Sequence, residues 1–190
     1  MPKVLVLAAP GFETIELATP VDLLRRAGVE VVIAAVDASG TEVTSAQNIT
    51  ITADAELKDV KGQPFDAVVA PGGIIGTTNL AKNKDVIELI KKQNSDGKVI
   101  GAICAVPGFV LAEAAGILKG KKATGYPGTE EKITANGGIL VQEGGCVVDG
   151  NIVTSKGPGT SVCFGLTLIK VLVNEAKATE VAEKALIKKN

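Results

Sequence analysis

Lys98-Val-Ile-Gly-Ala-Ile-Cys-Ala-Val-Pro107 is the joint around which the rest of the chain reads. An apolar run of strand length ends on Cys104, passes through Ala105-Val106-Pro107 and enters a helix-like segment that continues to Ala115. A strand that enters a helix across so short a joint must turn sharply. The turn leaves Cys104 projecting from the carboxyl end of the strand, over the amino end of the helix. This is the geometry of a nucleophile elbow, with a thiol where hydrolases carry a serine hydroxyl. A thiol so placed feels the positive end of the helix dipole, which predicts a pKa below the ~8.5 of a free cysteine. On the turn alone, a buried cysteine acting as a small apolar residue is the simpler reading.

Working outward, Val4–Ala9 is a continuous apolar run, and Val29–Ala35 and Asp66–Ala70 give further strands. Between them, Glu13 to Ala27 places Leu17, Val21 and Leu24 on one helical face and stops at Gly28, and a second helix runs from about Lys84 to Asn94. In that helix Glu88 and Lys92 are spaced to pair. Thr41 to Ile51 alternates as a hairpin, and short strands around Ile139–Val141 and Cys146–Val148 precede a turn at Asp149-Gly150 into Asn151–Thr154. A helix after Ser155–Thr160 carries Val162, Leu166, Ile169 and Val173 in register, and a last one spans about Lys177 to Lys188. Strands alternating with amphipathic helices predict an α/β fold, a mostly parallel sheet covered by helices on both faces. With no repeat or linker, residues 1–190 read as one domain. Ligands of such sheets bind beyond the carboxyl ends of the strands, where the joints at 10–12, 71–76, 104–107 and 155–160 would meet.

Composition removes several classes of function. The net charge is −1, no run of Lys or Arg is long, and aromatic residues are 3%, so neither nucleic acid nor a polybasic membrane contact is expected. No apolar run reaches the ~20 residues that span a bilayer. The chain has no histidine, so neither a Ser-His nor a Cys-His pair can be built within one subunit. Cys104, Cys146 and Cys163 lack metal-ligand spacing; no metal is expected, and reduced thiols in a cytoplasmic protein are. Cys146 and Cys163 read as structural. The opening residues, Met1 to Ala9, read as a first strand rather than a signal peptide, so the triplet Asn48-Ile-Thr50 is treated as chance.

Gly72-Gly-Ile-Ile-Gly76 matches neither the dinucleotide fingerprint nor the phosphate loop, so no nucleotide cofactor is expected. The specific alternative is that the N–H groups of Gly72 and Gly73 face an oxyanion beside Cys104. Glu13 and Glu16 fall in the first turn of a helix, where capping is the plain reading. If the Glu16 turn and the elbow meet, two anions are unfavourable together, and the carboxyl pKa rises while the thiol ionises.

These motifs in this order carry a resemblance. Ala9-Pro-Gly-Phe-Glu-Thr-Ile-Glu16, Pro20–Gly28, Pro71-Gly-Gly73, Gly101-Ala-Ile-Cys-Ala-Val-Pro107 and Thr154-Ser-Lys-Gly-Pro-Gly-Thr160 resemble the DJ-1/PfpI superfamily, most of all its DJ-1 branch, over essentially the whole chain. The resemblance implies a flavodoxin-like three-layer sandwich that is usually dimeric. It makes Cys104 the reactive, easily oxidised cysteine and Glu16 its acidic partner, with Gly72, Gly73 and Ala105 lining the pocket. It also implies glyoxalase or deglycase chemistry on methylglyoxal, glyoxal or their adducts, without a cofactor. The alternative is an oxidative-stress sensor or protective chaperone that uses the same thiol. Two departures stand out. Tyr126 occupies a position where some members carry histidine, which argues against peptidase chemistry because a phenol with a pKa of ~10 is a poor base. Ser45-Ala-Gln-Asn48 replaces a segment that often carries an arginine.

Overall fold

Apolar runs free of charge are stable only where both faces are covered, and the chain covers them layer by layer. The computed structural model describes residues 1–188. It begins with β1 (Lys3–Ala8), α1 (Thr14–Arg26) and β2 (Glu30–Ala35), then a hairpin of β3 (Glu42–Thr44) and β4 (Thr50–Thr52). Next come β5 (Ala55–Glu56), α2 (Leu57–Val60), β6 (Ala67–Ala70), α3 (Ile74–Lys82) and α4 (Lys84–Ser95). β7 (Val99–Ile103) passes into a π-helix over Pro107–Ala114. An excursion of β8 (Lys122–Ala123), α5 (Glu130–Ala135) and β9 (Ile139–Leu140) leads to β10 (Cys146–Asp149) and β11 (Ile152–Ser155). A 3-10 turn at Pro158–Thr160 then opens α6 (Ser161–Leu172), and α7 (Glu175–Lys184) follows.

Seven strands form the main sheet in the order β10-β11-β7-β6-β1-β2-β5, parallel throughout except for the antiparallel pair β10–β11. Alternation along β1 assigns its two faces: Val4, Val6 and Ala8 pack with Leu17, Leu24, Phe164 and Leu168 of α1 and α6. Leu5 and Leu7 pack on the other side with Leu80, Ile90, Val110 and Leu111. The result is the expected helix–sheet–helix sandwich. From β1 the chain adds strands outward through β2 to β5, then crosses to β6 on the other side of β1 and continues outward through β7 to β11. This reversal opens a crevice at the carboxyl ends of β1 and β6.

Several local expectations change. The joint read at 71–76 is shorter than expected, because α3 starts inside it at Ile74, directly after Gly73. Ile74 and Ile75 are exposed, so no apolar stripe marks that helix in the sequence. The polar stretch before Asn136 contains α5. After Cys104 the helix is wide rather than α: the Ala115 N–H donates to the Val110 carbonyl, a residue further back than an α-turn reaches. In α6 the buried face is Phe164, Gly165, Leu168 and Ile169; of the predicted stripe only Ile169 lies within it. A helix apolar on most sides gives periodicity no unique face to choose. Lys92 pairs with Asp96 at 2.5 Å rather than with Glu88. The hairpin turn falls on Gly150-Asn151, because Asp149 pairs with Ile152.

The start of α3 is pressed against the β1–α1 turn. A β-carbon on Gly76 would lie 2.9 Å from both the Cα and N of Phe12, and these are backbone atoms that cannot rotate away. Alanine is the better helix former by ~1 kcal/mol, whereas overpacking costs ~1–3 kcal/mol. Gly76→Ala is therefore expected to lower the urea midpoint. An unchanged or raised midpoint would show that this contact yields easily.

Candidate active site

The β1–α1 turn is fixed from several sides before it presents Glu16. Glu13 caps α1: its Oε2 accepts the Glu16 N–H at 2.7 Å, and its own N–H donates to the Gly72 carbonyl at 3.0 Å. The β3–β4 hairpin grips the same turn. Gly11 N–H donates to the Thr44 carbonyl, Ala46 N–H donates to the Phe12 carbonyl, and the Thr14 and Ser45 hydroxyls meet at 2.9 Å. Thus the hairpin is a brace for the site. Capping describes Glu13 alone, because Glu16 turns inward and is fully buried. Its Oε2 accepts the Gly72 N–H at 2.8 Å, while Oε1 has no hydrogen-bond partner among the described residues.

Cys104 stands at the end of β7 with φ = +66°, in the left-handed region that costs a non-glycine residue ~1–3 kcal/mol. Its backbone is held at both ends: the N–H donates to the Ser155 carbonyl at 3.0 Å, and its carbonyl accepts the Tyr126 N–H at 2.8 Å. The side chain, only 7% exposed, meets Glu16 across Gly72. A β-carbon on Gly72 would lie 2.5 Å from Cys104 Cβ, 2.6 Å from Glu16 Oε2 and 3.1 Å from the sulfur. Gly73, at φ = +85°, is equally committed, since a β-carbon there would lie 2.4 Å from the Gly11 carbonyl oxygen.

Electrostatics couples the pair. Burial pushes the Glu16 carboxyl from 4.5 to about 7, with Glu13 adding to the rise; the Gly72 N–H and a hydrogen bond from the Cys104 thiol pull the other way. For Cys104 the expected direction is reversed. Burial, the Glu16 carboxylate and the hydrogen bond to it push the thiol up to about 12, against the N–H groups of Gly73 and Ala105 that face the sulfur. Dipole and backbone donors are present, but the loss of water and a neighbouring anion outweigh them. The carboxyl group gives up its proton first.

The fold brings Cys104, Glu16, Gly72, Gly73 and Ala105 to one point, but Gly72 differs from its expected part. Its N–H is committed to Glu16, leaving those of Gly73 and Ala105 directed at the sulfur. Tyr126 contributes its backbone to the elbow, while its ring is 44% exposed and packs by its edge against Gly157. Gly157 is the residue that the sequence did not single out. A β-carbon there would lie 3.2 Å from the Tyr126 ring and 3.9 Å from Glu16 Oε1, so its bare backbone covers the carboxyl group. The available signal was the Gly-Pro-Gly following β11. Among the described residues, no group of three or more His, Cys, Asp or Glu is placed to hold a metal ion, and no helix is long and apolar enough to cross a membrane.

A thiol on a strand-to-helix elbow, set against a buried carboxyl group beside the strand-order reversal, places the protein among flavodoxin-like α/β sandwiches with a cysteine-centred pocket. Residues 2–171 match the DJ-1/PfpI family, and the chain belongs to that family. It is 40% identical to protein DJ-1 homolog A of Arabidopsis thaliana over 98% of its own length and 47% of the relative's. The chain thus spans about half the length of this plant relative. It is 37% identical to the Parkinson disease protein 7 homolog of Danio rerio, covering 98% of this chain and 97% of that one. A Pyrococcus abyssi protein named a deglycase is 33% identical, covering 90% and 99% respectively. The crystal structure of Drosophila melanogaster DJ-1beta superposes with a TM-score of 0.93 at 35% identity, covering 99% of each chain.

The raised carboxyl pKa has a measurable consequence. Between pH 4.5 and about 7 the unfolded chain ionises Glu16 while the folded one does not, so stability falls as pH rises through this window. At ~1.4 kcal/mol per pKa unit the full cost above it is ~3 kcal/mol. Glu16→Gln is expected to exceed the wild type in stability by ~1–3 kcal/mol near pH ~8, with the gap closing towards pH ~4. Its Cys104 thiol should also titrate lower, as read by ultraviolet thiolate absorbance against a Cys104→Ser blank. Parallel stability curves for the two proteins would refute the buried carboxyl's titration.

Proposed function

We propose that the chain is one DJ-1-like domain that converts reactive dicarbonyls such as methylglyoxal and glyoxal, and their early adducts, through Cys104 and Glu16. The observation that carries this reading is the buried Glu16 carboxyl, whose pKa lies near 7, hydrogen-bonded to a thiol that hardly ionises alone. A thiol held up at about 12 needs a base at the moment of attack, and the Glu16 carboxylate is that base. Sulfur attacks the aldehyde carbon, the S–H proton passes to Glu16, and the N–H groups of Gly73 and Ala105 stabilise the developing alkoxide. Glu16 returns that proton, giving a hemithioacetal, then takes the proton from the former aldehyde carbon and delivers one to the adjacent carbon. The product is a thioester of a 2-hydroxy acid. Water hydrolyses it, releasing lactate from methylglyoxal and restoring the thiol. The name of the archaeal relative supports the extension to glycation adducts. On this reading the protein acts in the cytoplasm as a homodimer.

Lactate formation should disappear in Cys104→Ser and fall ~100-fold or more in Glu16→Gln, the scale of a lost general base. In the wild type, kcat/KM should rise with pH through about 7 as the carboxyl group ionises. Undiminished turnover in Cys104→Ser would end this proposal.

A second reading follows from the unpartnered, buried Glu16 Oε1. Oxidation of Cys104 by a hydroperoxide to the sulfinate would place oxygen atoms where a protonated Glu16 can donate to them, halting oxidation at that stage. The protein would then act as a redox sensor or a protective chaperone. Mild peroxide should add two oxygens to Cys104 in the wild type and progress to the sulfonate in Glu16→Ala; identical products in both proteins would exclude this role for Glu16.

A further inference from the structure

The remaining cysteines, read from sequence as structural, meet each other. Cys146 opens β10, and Cys163 lies in the first turn of α6, which packs on β10; a β-carbon on Gly145, the residue next to Cys146, would lie 3.6 Å from the Cys163 sulfur. Cys146 Sγ lies 3.4 Å from Ser155 Oγ, and Ser155 Oγ lies 2.8 Å from the Gly145 carbonyl, to which it donates. The Cys146 S–H is thus directed at the Ser155 oxygen. The exposed Cys163 sulfur stands at the amino end of α6, whereas Cys146 is half-buried. Acidity separates the two thiols: Cys163 is pulled down to about 6, mainly by interaction with Cys146, and Cys146 is pushed up, first by that same interaction and then by burial.

Access is asymmetric in the same sense. Cys163 is exposed and lines an open groove of about 510 Å³ between α6 and α7, together with Leu166, Lys170, Ala178 and Ala182. A small oxidant reaches Cys163 from solvent, and Cys146 lies on its inner side. Closing the pair requires the sulfurs to approach to the ~2.05 Å of a disulfide.

We propose that Cys146 and Cys163 form a second thiol centre, a dithiol that reduces hydroperoxides and closes to an intramolecular disulfide independently of Cys104. Cys163 sulfur attacks the outer peroxide oxygen, the O–O bond breaks, and the leaving alkoxide takes up a proton as the alcohol. The resulting Cys163 sulfenic acid is attacked by Cys146 sulfur; the S–S bond forms, the S–OH bond breaks, and water leaves with the Cys146 proton. Two thiols are oxidised and one peroxide is reduced. An external dithiol restores the pair by exchange.

The test uses the full chain with Cys104→Ser, so that chemistry at Cys104 makes no contribution and both native cysteines of the pair remain. Reduced protein is treated with stoichiometric tert-butyl hydroperoxide, digested without reductant and analysed by mass spectrometry. The expected result is a Cys146–Cys163 linked species, two hydrogens lighter than the reduced pair and restored by dithiothreitol. Adding Cys146→Ser should instead leave a dimedone-trappable sulfenic acid on Cys163, and adding Cys163→Ser should leave Cys146 reduced and abolish peroxide consumption. A pair that stays reduced, links only between chains, or oxidises at Cys146 when Cys163 is absent would overturn the proposal.

Discussion

The hydrogen bond from the Gly72 N–H to the Glu16 carboxyl group is the contact on which the pocket depends. It ties the end of β6 to the first turn of α1 across the crevice where strand order reverses, and it exists only because residue 72 has no side chain. The same missing β-carbon makes room for the Cys104 sulfur. A carboxyl group so deeply buried would resist ionisation strongly; this donor and the thiol hold its pKa near 7, within the range where a proton can both leave and return. Geometry and proton affinity therefore share one origin, a glycine placed between an acid and a sulfur.

Around that contact, the structure spends backbone groups rather than side chains. Glu13 orders the turn, the hairpin braces it, Ser155 and Tyr126 fix the elbow through main-chain bonds, and Gly157 closes over the carboxyl group. Backbone donors and acceptors carry no rotamer freedom, so they hold Cys104 and Glu16 to a tight tolerance. The hairpin's substituted segment, Ser45 to Asn48, takes part in this bracing through Ser45 and Ala46.

What the sequence revealed follows from which forces leave a local trace. Buried strands such as Val4–Ala8 are written as apolar runs, and the order of strands and helices limits the architecture to few choices. Cys104 and Glu16 were legible because a short joint and a set of spaced motifs pointed to them. The helix at Ile74 was not, since its residues are held by contact with Phe12 and Gly11 rather than by an amphipathic pattern. Nor was the sign of the Cys104 shift: a helix dipole can be inferred from neighbours in the chain, whereas desolvation depends on everything that packs around the sulfur. The contact between Cys146 and Cys163 likewise needs the sheet edge and α6 to be brought together before it exists.

The left-handed backbone at Cys104 sets this protein's stability against its chemistry. Nothing about φ = +66° favours cysteine; glycine would accept that conformation without the steric penalty. The backbone bonds to Ser155 and Tyr126 maintain the conformation whatever side chain stands there. The local optimum for the main chain is consequently glycine, and the cysteine persists at the expense of folding energy. If Cys104 carries the proposed chemistry, drift towards stability alone runs towards its loss at this position, and the thiol marks a place where selection must act on function directly.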